Sequence, residues 1–285
     1  MNIYQSDLYN QKKMKQHIQT PDEIKLSVKE KYAEISQNAK NSACCGPGSC
    51  CGSSEKSDYT IFSDDYSHLE GYNPDADLGL GCGLPTEFAG IKPGDTVVDL
   101  GSGAGNDCFV ARQLTGNTGQ VIGIDMTESM VDKARDNAEK LNYENVKFFA
   151  GDIEELPLDD SVADVVISNC VLNLVPDKRK AFSETFRILK NSGHFSISDV
   201  VLSGDLPGKI REDAEMYAGC VAGAIDKDLY LEIVKDSGFK NIKVQKIKEI
   251  QLPDEMLSKY LSPEEKDAFR NSDTGIFSIT LYAEK

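Results

Sequence analysis

The stretch TVVDLGSGAGNDCFVARQL, residues 96–114, runs a β-branched strand pattern into a glycine turn and then into helical periodicity. Its glycines, Gly101, Gly103 and Gly105, follow a Gly-x-Gly-x-Gly spacing, which differs from the Gly-x-Gly-x-x-Gly of the dinucleotide fingerprint. Glycine permits a tight turn and lets backbone amides approach a ligand closely, while a helix N-terminus favours a negatively charged group. Further along, QVIGIDM (120–126), VKFFAG (146–151), ADVVISN (163–169) and HFSISDVV (194–201) read as four more strands separated by helical patterns. A helical stretch is expected from about Lys209 to Gly238, and IKVQKIKEI (242–250) and GIFSITLYAEK (275–285) follow as final strands. The expected fold is therefore α/β, a seven-stranded, mostly parallel sheet with helices on both faces and a smaller C-terminal α/β region.

Upstream, Thr20 is placed to cap a helix with Pro21 at its first position, and Ile24, Val28, Tyr32 and Ile35 recur at helical spacing. The segment ACCGPGSCCGSSEKSD (43–58) then breaks every regular pattern and predicts a flexible loop. Three regions are expected: an N-terminal helix and cysteine-rich loop over 1–59, a cofactor-binding domain over 60–205, and a substrate-related region over 206–285 that completes the sheet.

Composition narrows the function. The 285 residues carry 31 Lys and Arg against 47 Asp and Glu, a net charge of −16, which repels phosphate backbones and disfavours a nucleic-acid partner. No apolar run approaches the roughly 20 residues of a membrane span, and the N-terminus lacks the apolar core of a secretory signal. A cytoplasmic protein with a small-molecule substrate is expected. Its eight cysteines are then reduced thiols rather than a disulfide scaffold. His17, His68 and His194 fall in no metal-ligand spacing, and no serine-nucleophile signature is present.

Polar residues collect where the strands end. Asp125 closes the second strand 24 residues after Gly101, Gly151, Asp152, Ile153 and Glu154 follow the third, and Ser168, Asn169 and Cys170 follow the fourth. Open α/β sheets bind ligands at that edge. The combination resembles the class I, Rossmann-like methyltransferases. The resemblance implies S-adenosylmethionine as cofactor, with Asp99, Gly101, Ser102, Gly103, Asn106 and Asp107 at its methionine end. Asp125 and Met126 would meet ribose and adenine, Asp152 and Ile153 would meet adenine, and Asn169 would line the pocket beside the sulfonium.

Each cysteine alone reads as a small buried hydrophobe. Together with their surroundings they say more: GCGLP (81–85), DLGSGAGNDCFV (99–110), GIDMT (123–127), SNCVLNLVPDK (168–178), FRILKNSGHFSISDV (186–200) and GCVAGAI (219–225) closely resemble the arsenite methyltransferase family. That resemblance implies Cys82, Cys170 and Cys220 as ligands of trivalent arsenic, a thiophilic centre that soft thiolates prefer. It also implies a thiol co-substrate, glutathione or thioredoxin, for a redox step. A further N-terminal cysteine belongs to the family pattern, and the loop offers Cys44, Cys45, Cys50 and Cys51 for it. Cys44 and Cys45 are expected to capture arsenic, with a solvent-exposed loop of no such role as the alternative; a zinc site fits poorly because no second ligand pair follows. Cys108 keeps its apolar reading. Two rival functions stay open at this level: a methyltransferase for a small organic acceptor with structural cysteines, and a non-catalytic arsenic-binding protein.

Overall fold

All seven expected strands join one sheet in the order β3-β2-β1-β4-β5-β7-β6. They are β1 (Thr96–Leu100), β2 (Gln120–Asp125), β3 (Val146–Ala150), β4 (Ala163–Asn169), β5 (Leu189–Ser203), β6 (Lys240–Glu249) and β7 (Gly275–Glu284). Strands β1 to β5 pair in parallel, and β7 runs antiparallel to both β5 and β6. The computed structural model describes residues 20–41, 64–211, 220–221, 223–272 and 274–285. Its helices are α1 (Pro21–Asn41), α2 (Pro85–Phe88), α3 (Asn106–Thr115), α4 (Glu128–Lys140), α5 (Lys178–Ile188), α6 (Gly208–Arg211), α7 (Lys227–Asp236), α8 (Asp254–Tyr260) and α9 (Pro263–Arg270).

The strand period of two divides the core between the faces of the sheet. Val98, Leu100, Ile122 and Ile124 pack with Phe182 and Ile188 of α5 and with Tyr230 and Val234 of α7. The intervening Val97, Val121, Val165 and Ile167 pack with Phe109 of α3 and with Val131 and Ala134 of α4. Edge-to-face rings tie the first cluster together, Phe182 against Tyr230 and Phe239, and Phe195 against Phe239. Strand β6 forms an edge whose residues are mostly exposed, and lysines at 240, 243, 246 and 248 blunt it against pairing with other chains.

Local chemistry starts α1 where the sequence placed it and caps two further helices. Thr20 and Glu23 exchange backbone-to-side-chain hydrogen bonds across the first turn of α1, a reciprocal capping box. Asp177 caps α5 by accepting from the Lys180 amide, and Asp226 caps α7 by accepting from Asp228 and Leu229. The expected helical stretch from Lys209 to Gly238 is not continuous: Cys220 and Val221 lie in turn and bend, and α7 starts only at Lys227.

Replacing Phe182, fully buried among these rings, with alanine is expected to lower unfolding free energy by about 3–5 kcal/mol. Urea denaturation followed by circular dichroism measures it; a loss below about 1 kcal/mol would mean that the ring cluster can collapse around the cavity.

Candidate active site

Strand order reverses between β1 and β4, so the connections leaving their C-terminal ends part and open a crevice. On one side the glycine turn folds over the sheet edge: the amides of Gly101 and Ser102 both donate to the carbonyl of Ile124 at 2.7 and 3.0 Å. Gly101 has φ +72°, and a β-carbon built there would lie 2.3 Å from Val171, so this position demands glycine on two counts. Asp125, at the end of β2, holds the turn from below. Its Oδ2 accepts from the Gly103 amide at 2.9 Å and its Oδ1 from the Thr127 amide at 2.8 Å. The Thr127 side chain donates to the same carboxylate, which leaves about one of its four lone-pair sites for a ligand.

Asp99, Gly101, Ser102, Gly103, Asn106, Asp107, Asp125, Met126, Asp152, Ile153 and Asn169 all line a single cleft of roughly 1030 Å³, its open mouth included. These eleven are the residues expected at the cofactor. The cleft is anionic: with Asp77, five aspartates face it, and among the described residues Lys25 is the one basic residue lining it. Burial pushes the carboxyls of Asp99, Asp107 and Asp125 upward, and Asp107 rises to about 6 despite hydrogen bonds from Asn169 and Tyr66 that favour its charged form. Ser102 Oγ is buried there with no hydrogen-bond partner. A cationic ligand rich in hydroxyl and amine groups would relieve both conditions, and S-adenosylmethionine has that chemistry.

Several residues of the cleft were not expected. Helix α1 lays Lys25, Val28 and Tyr32 along it, and Lys25 Nζ bridges Asp152 and Glu154 at 2.7 and 2.6 Å. The phenol of Tyr66, 5% exposed, lies 3.0 Å from both oxygens of Asp107 and 3.1 Å from the carbonyl of Gly83. Nothing in the local sequence near Tyr66 announces this, because its partners lie 17 to 103 residues away.

Cys82, Cys170 and Cys220 meet in one apolar cluster with Leu174, Val200, Leu202 and Ile276, and Cys170 also lines the cleft. The Cys170 thiol exchanges hydrogen bonds with the side chains of both Cys82 and Cys220, and Cys220 Sγ donates to the Cys170 carbonyl at 2.7 Å. Burial pushes the thiols of Cys82 and Cys170 upward, so both are protonated at neutral pH. Cys220 does not sit in a helix, as the sequence suggested: its φ of +66°, like the +60° of Cys170, is incompatible with one. The glycines flanking Cys82 are forced by packing, since β-carbons at Gly81 and Gly83 would each stand 2.6 Å from a polar atom of Asn169 and Ser198 respectively. Asn169 Oδ1 accepts from the Cys82 amide at 3.0 Å. Among the described residues no group of three or more His, Cys, Asp or Glu side chains is arranged to hold a metal ion.

Cys108 is buried, as expected, yet its thiol donates to Asp99 at 3.2 Å and stands apart from the cluster. Cys44, Cys45, Cys50 and Cys51 lie outside the described residues. Near the three thiols lies a polar group the sequence did not reveal: Asp199, fully buried on β5, accepts from the Tyr230 hydroxyl at 3.1 Å, and Lys178 donates to the Gly223 carbonyl at 3.0 Å. Burial raises the Asp199 carboxyl to about 7 against the pull of Lys178, and lowers Lys178. Among the described residues no helix is long and apolar enough to cross a membrane.

A methyltransferase-domain family model matches residues 91–238. The chain is 39% identical to an arsenite methyltransferase of Halobacterium salinarum over 93% of its own length and 67% of the relative's. It is 33% identical to one of Aquipseudomonas alcaligenes, over 82% of this chain and 67% of that protein. The crystal structure of CrArsM, an arsenic(III) S-adenosylmethionine methyltransferase from Chlamydomonas reinhardtii, superposes with a TM-score of 0.61 at 35% identity, covering 72% of this chain and 67% of that one. The chain thus spans about two thirds of the length of these relatives.

The raised Asp199 carboxyl has a consequence for stability. A proton held in the folded state at about 7, against an ordinary value of 3.8, contributes stability that is full below about pH 4 and lost as pH rises through 7. Urea titrations at pH 5 and pH 8 are expected to show Asp199→Asn losing less stability over that interval than the parent, by an amount on the order of 2 kcal/mol. Equal losses in the two proteins would mean that Asp199 is not protonated in the fold.

Proposed function

We propose, from the premise that the chain belongs to the arsenite methyltransferase family, that Cys82, Cys170 and Cys220 hold trivalent arsenic beside the cofactor cleft. The protein is an S-adenosylmethionine-dependent arsenite methyltransferase. The observation that carries the ligand assignment is the meeting of three thiols, 50 and 88 residues apart in sequence, in one buried cluster whose middle member, Cys170, also lines the cleft.

The cofactor, when bound, supplies a methyl group on a positively charged sulfonium sulfur. Asp99, Asp107 and the glycine turn would hold its methionine end, Asp125 its ribose, and Asp152 with Ile153 its adenine. The buried carboxylates favour the cation electrostatically, and Ser102 Oγ offers a hydrogen-bonding hydroxyl with no competing partner.

The thiols need no dedicated base. Arsenite carries hydroxyl ligands, and each protonated cysteine that replaces one sends its proton away with the departing hydroxide as water, so a sulfur–arsenic bond forms with no net proton transfer to the protein. Burial that keeps Cys82 and Cys170 protonated is therefore compatible with capture. Three sulfurs at arsenic leave its lone pair as the nucleophile, and positioning supplies the catalysis. Methylation formally oxidises arsenic, and a thiol reductant such as glutathione or thioredoxin returns it to the trivalent state. Cys44 and Cys45, with Cys50 and Cys51, would deliver arsenic to the cluster by thiolate exchange.

Incubation with arsenite, S-adenosylmethionine and a thiol reductant is expected to yield methylated arsenic, and Cys170→Ser or Cys220→Ser to abolish it while circular dichroism and cofactor affinity stay at parental values. Normal turnover by either serine variant would make that cysteine structural. Asp125→Ala is expected to weaken the cofactor by roughly 1.5–3 kcal/mol in calorimetry while leaving arsenite affinity near the parental value; unchanged cofactor binding would remove Asp125 from the site. Converting Cys44, Cys45, Cys50 and Cys51 together to serine is expected to raise KM for free arsenite at similar kcat, whereas a collapse of kcat would put a loop thiol in the chemical step.

A further inference from the structure

Cys220 reaches the thiol cluster from a turn rather than from a helix or a strand. Its φ of +66° is left-handed, a conformation that a residue with a side chain keeps only where its surroundings over-determine it. Hydrogen bonds fix both ends of the stretch that leads from it to α7: Cys220 Sγ donates to the Cys170 carbonyl at 2.7 Å, and the Leu202 amide donates to the Ile225 carbonyl at 2.9 Å. Between them Lys178 Nζ donates to the Gly223 carbonyl at 3.0 Å.

A lysine in that place is costly. Lys178 is 9% exposed, and burial disfavours its charged form. Its surroundings are built to keep it: Asp199, Cys220 and Glu154 face the ammonium, and Asp199 is itself held by the Tyr230 hydroxyl and the Val200 amide. The backbone of Lys178 is fixed as firmly. It stands at the first position of α5, directly after Asp177, which accepts from the Lys180 amide and donates its own amide to Glu154 at 2.9 Å. A charge is thus carried into the interior on a rigid stem and brought to the carbonyl three residues beyond Cys220.

Substrate binding removes one of the bonds that hold this turn. When Cys220 forms a sulfur–arsenic bond, its thiol proton leaves with a departing hydroxide as water, and the hydrogen bond to the Cys170 carbonyl goes with it. The bond from Lys178 to Gly223 depends on no thiol proton and persists. We propose that Lys178 is a positioning residue for the substrate, the tether that keeps Cys220 at the thiol cluster once its own hydrogen bond has been given up. This rests on the assignment of Cys220 as an arsenic ligand.

The test is a double-mutant cycle between Lys178→Met and Cys220→Ser, run on the full chain in an Asp199→Asn background so that removing the lysine leaves no carboxyl without its cation. Calorimetry gives the dissociation constants of arsenite and of sinefungin, a cofactor analogue with no transferable methyl group. Relative to Asp199→Asn, adding Lys178→Met is expected to weaken arsenite about ten-fold and to leave sinefungin within about two-fold, as loss of a partner that orients a ligand does. Adding Cys220→Ser is expected to weaken arsenite as well, and adding both to weaken it no further than Cys220→Ser does. Should Lys178→Met not fold by circular dichroism, Lys178→Gln, one bond shorter but polar at its end, carries the same expectation. Arsenite affinity unchanged by removal of the lysine overturns the tether alone. So does a second ten-fold loss on top of Cys220→Ser, which would mean that Lys178 acts through the fold at large. Arsenite bound as tightly with Cys220→Ser as without it overturns the ligand assignment and the tether together.

Discussion

Gly101 and Val171 cannot both have a β-carbon side chain at their point of contact, and the site depends on that exclusion. Strands β1 and β4 are adjacent and parallel, with Leu100 opposite Ser168 and the Ser168 hydroxyl donating to the Leu100 carbonyl. Their C-terminal connections must therefore leave the sheet side by side. One is the glycine turn and the other begins Asn169-Cys170-Val171, and the two fit only because one has no side chain where Val171 sits. This contact sets the separation between the glycine turn and Cys170, and so between a cofactor and a substrate that those two elements would hold.

Around that contact the protein accumulates buried acids without matching bases. Asp99, Asp107 and Asp125 are each raised by burial, and Lys25, the one lysine among the described residues of the cleft, is already paired with Asp152 and Glu154. Such an arrangement is unfavourable in isolation and becomes favourable with a cation inside, so affinity is stored in the empty protein as electrostatic frustration. The net charge of −16 extends the same preference over the whole molecule and draws cations toward it.

The strands, and the strand-end residues that gather around one cleft, were legible because their signals are local. A β-branched run, a glycine turn and a helix start occur within twenty positions, and parallel α/β connectivity brings the ends of β1, β2, β3 and β4 to one edge whatever the intervening helices contain. The exceptions all depend on distant pairing. Tyr66, Lys25 and the group of Lys178, Asp199 and Tyr230 take their roles from partners on other elements, and a residue's own neighbours in sequence carry no trace of those partners. Cys220 was misplaced in a helix because the periodicity of 209–238 is helical on either side of it, whereas its conformation is set by the bond its thiol makes to the Cys170 carbonyl. The backbone there is strained, as it is at Cys170, and such strain is concentrated where geometry must be held for a ligand.

The neutral state of the Cys82 and Cys170 thiols also governs how the protein ages in an oxidising cell. Peroxides attack thiolates, and both the thiolate fraction and the access of oxidant are low for groups 0% and 4% exposed. Sulfenic acid formation, the first rung toward irreversible loss of a cysteine, is slow under those conditions. The burial that shapes the pocket is thereby also what spares its thiols the loss that exposed, ionised cysteines suffer.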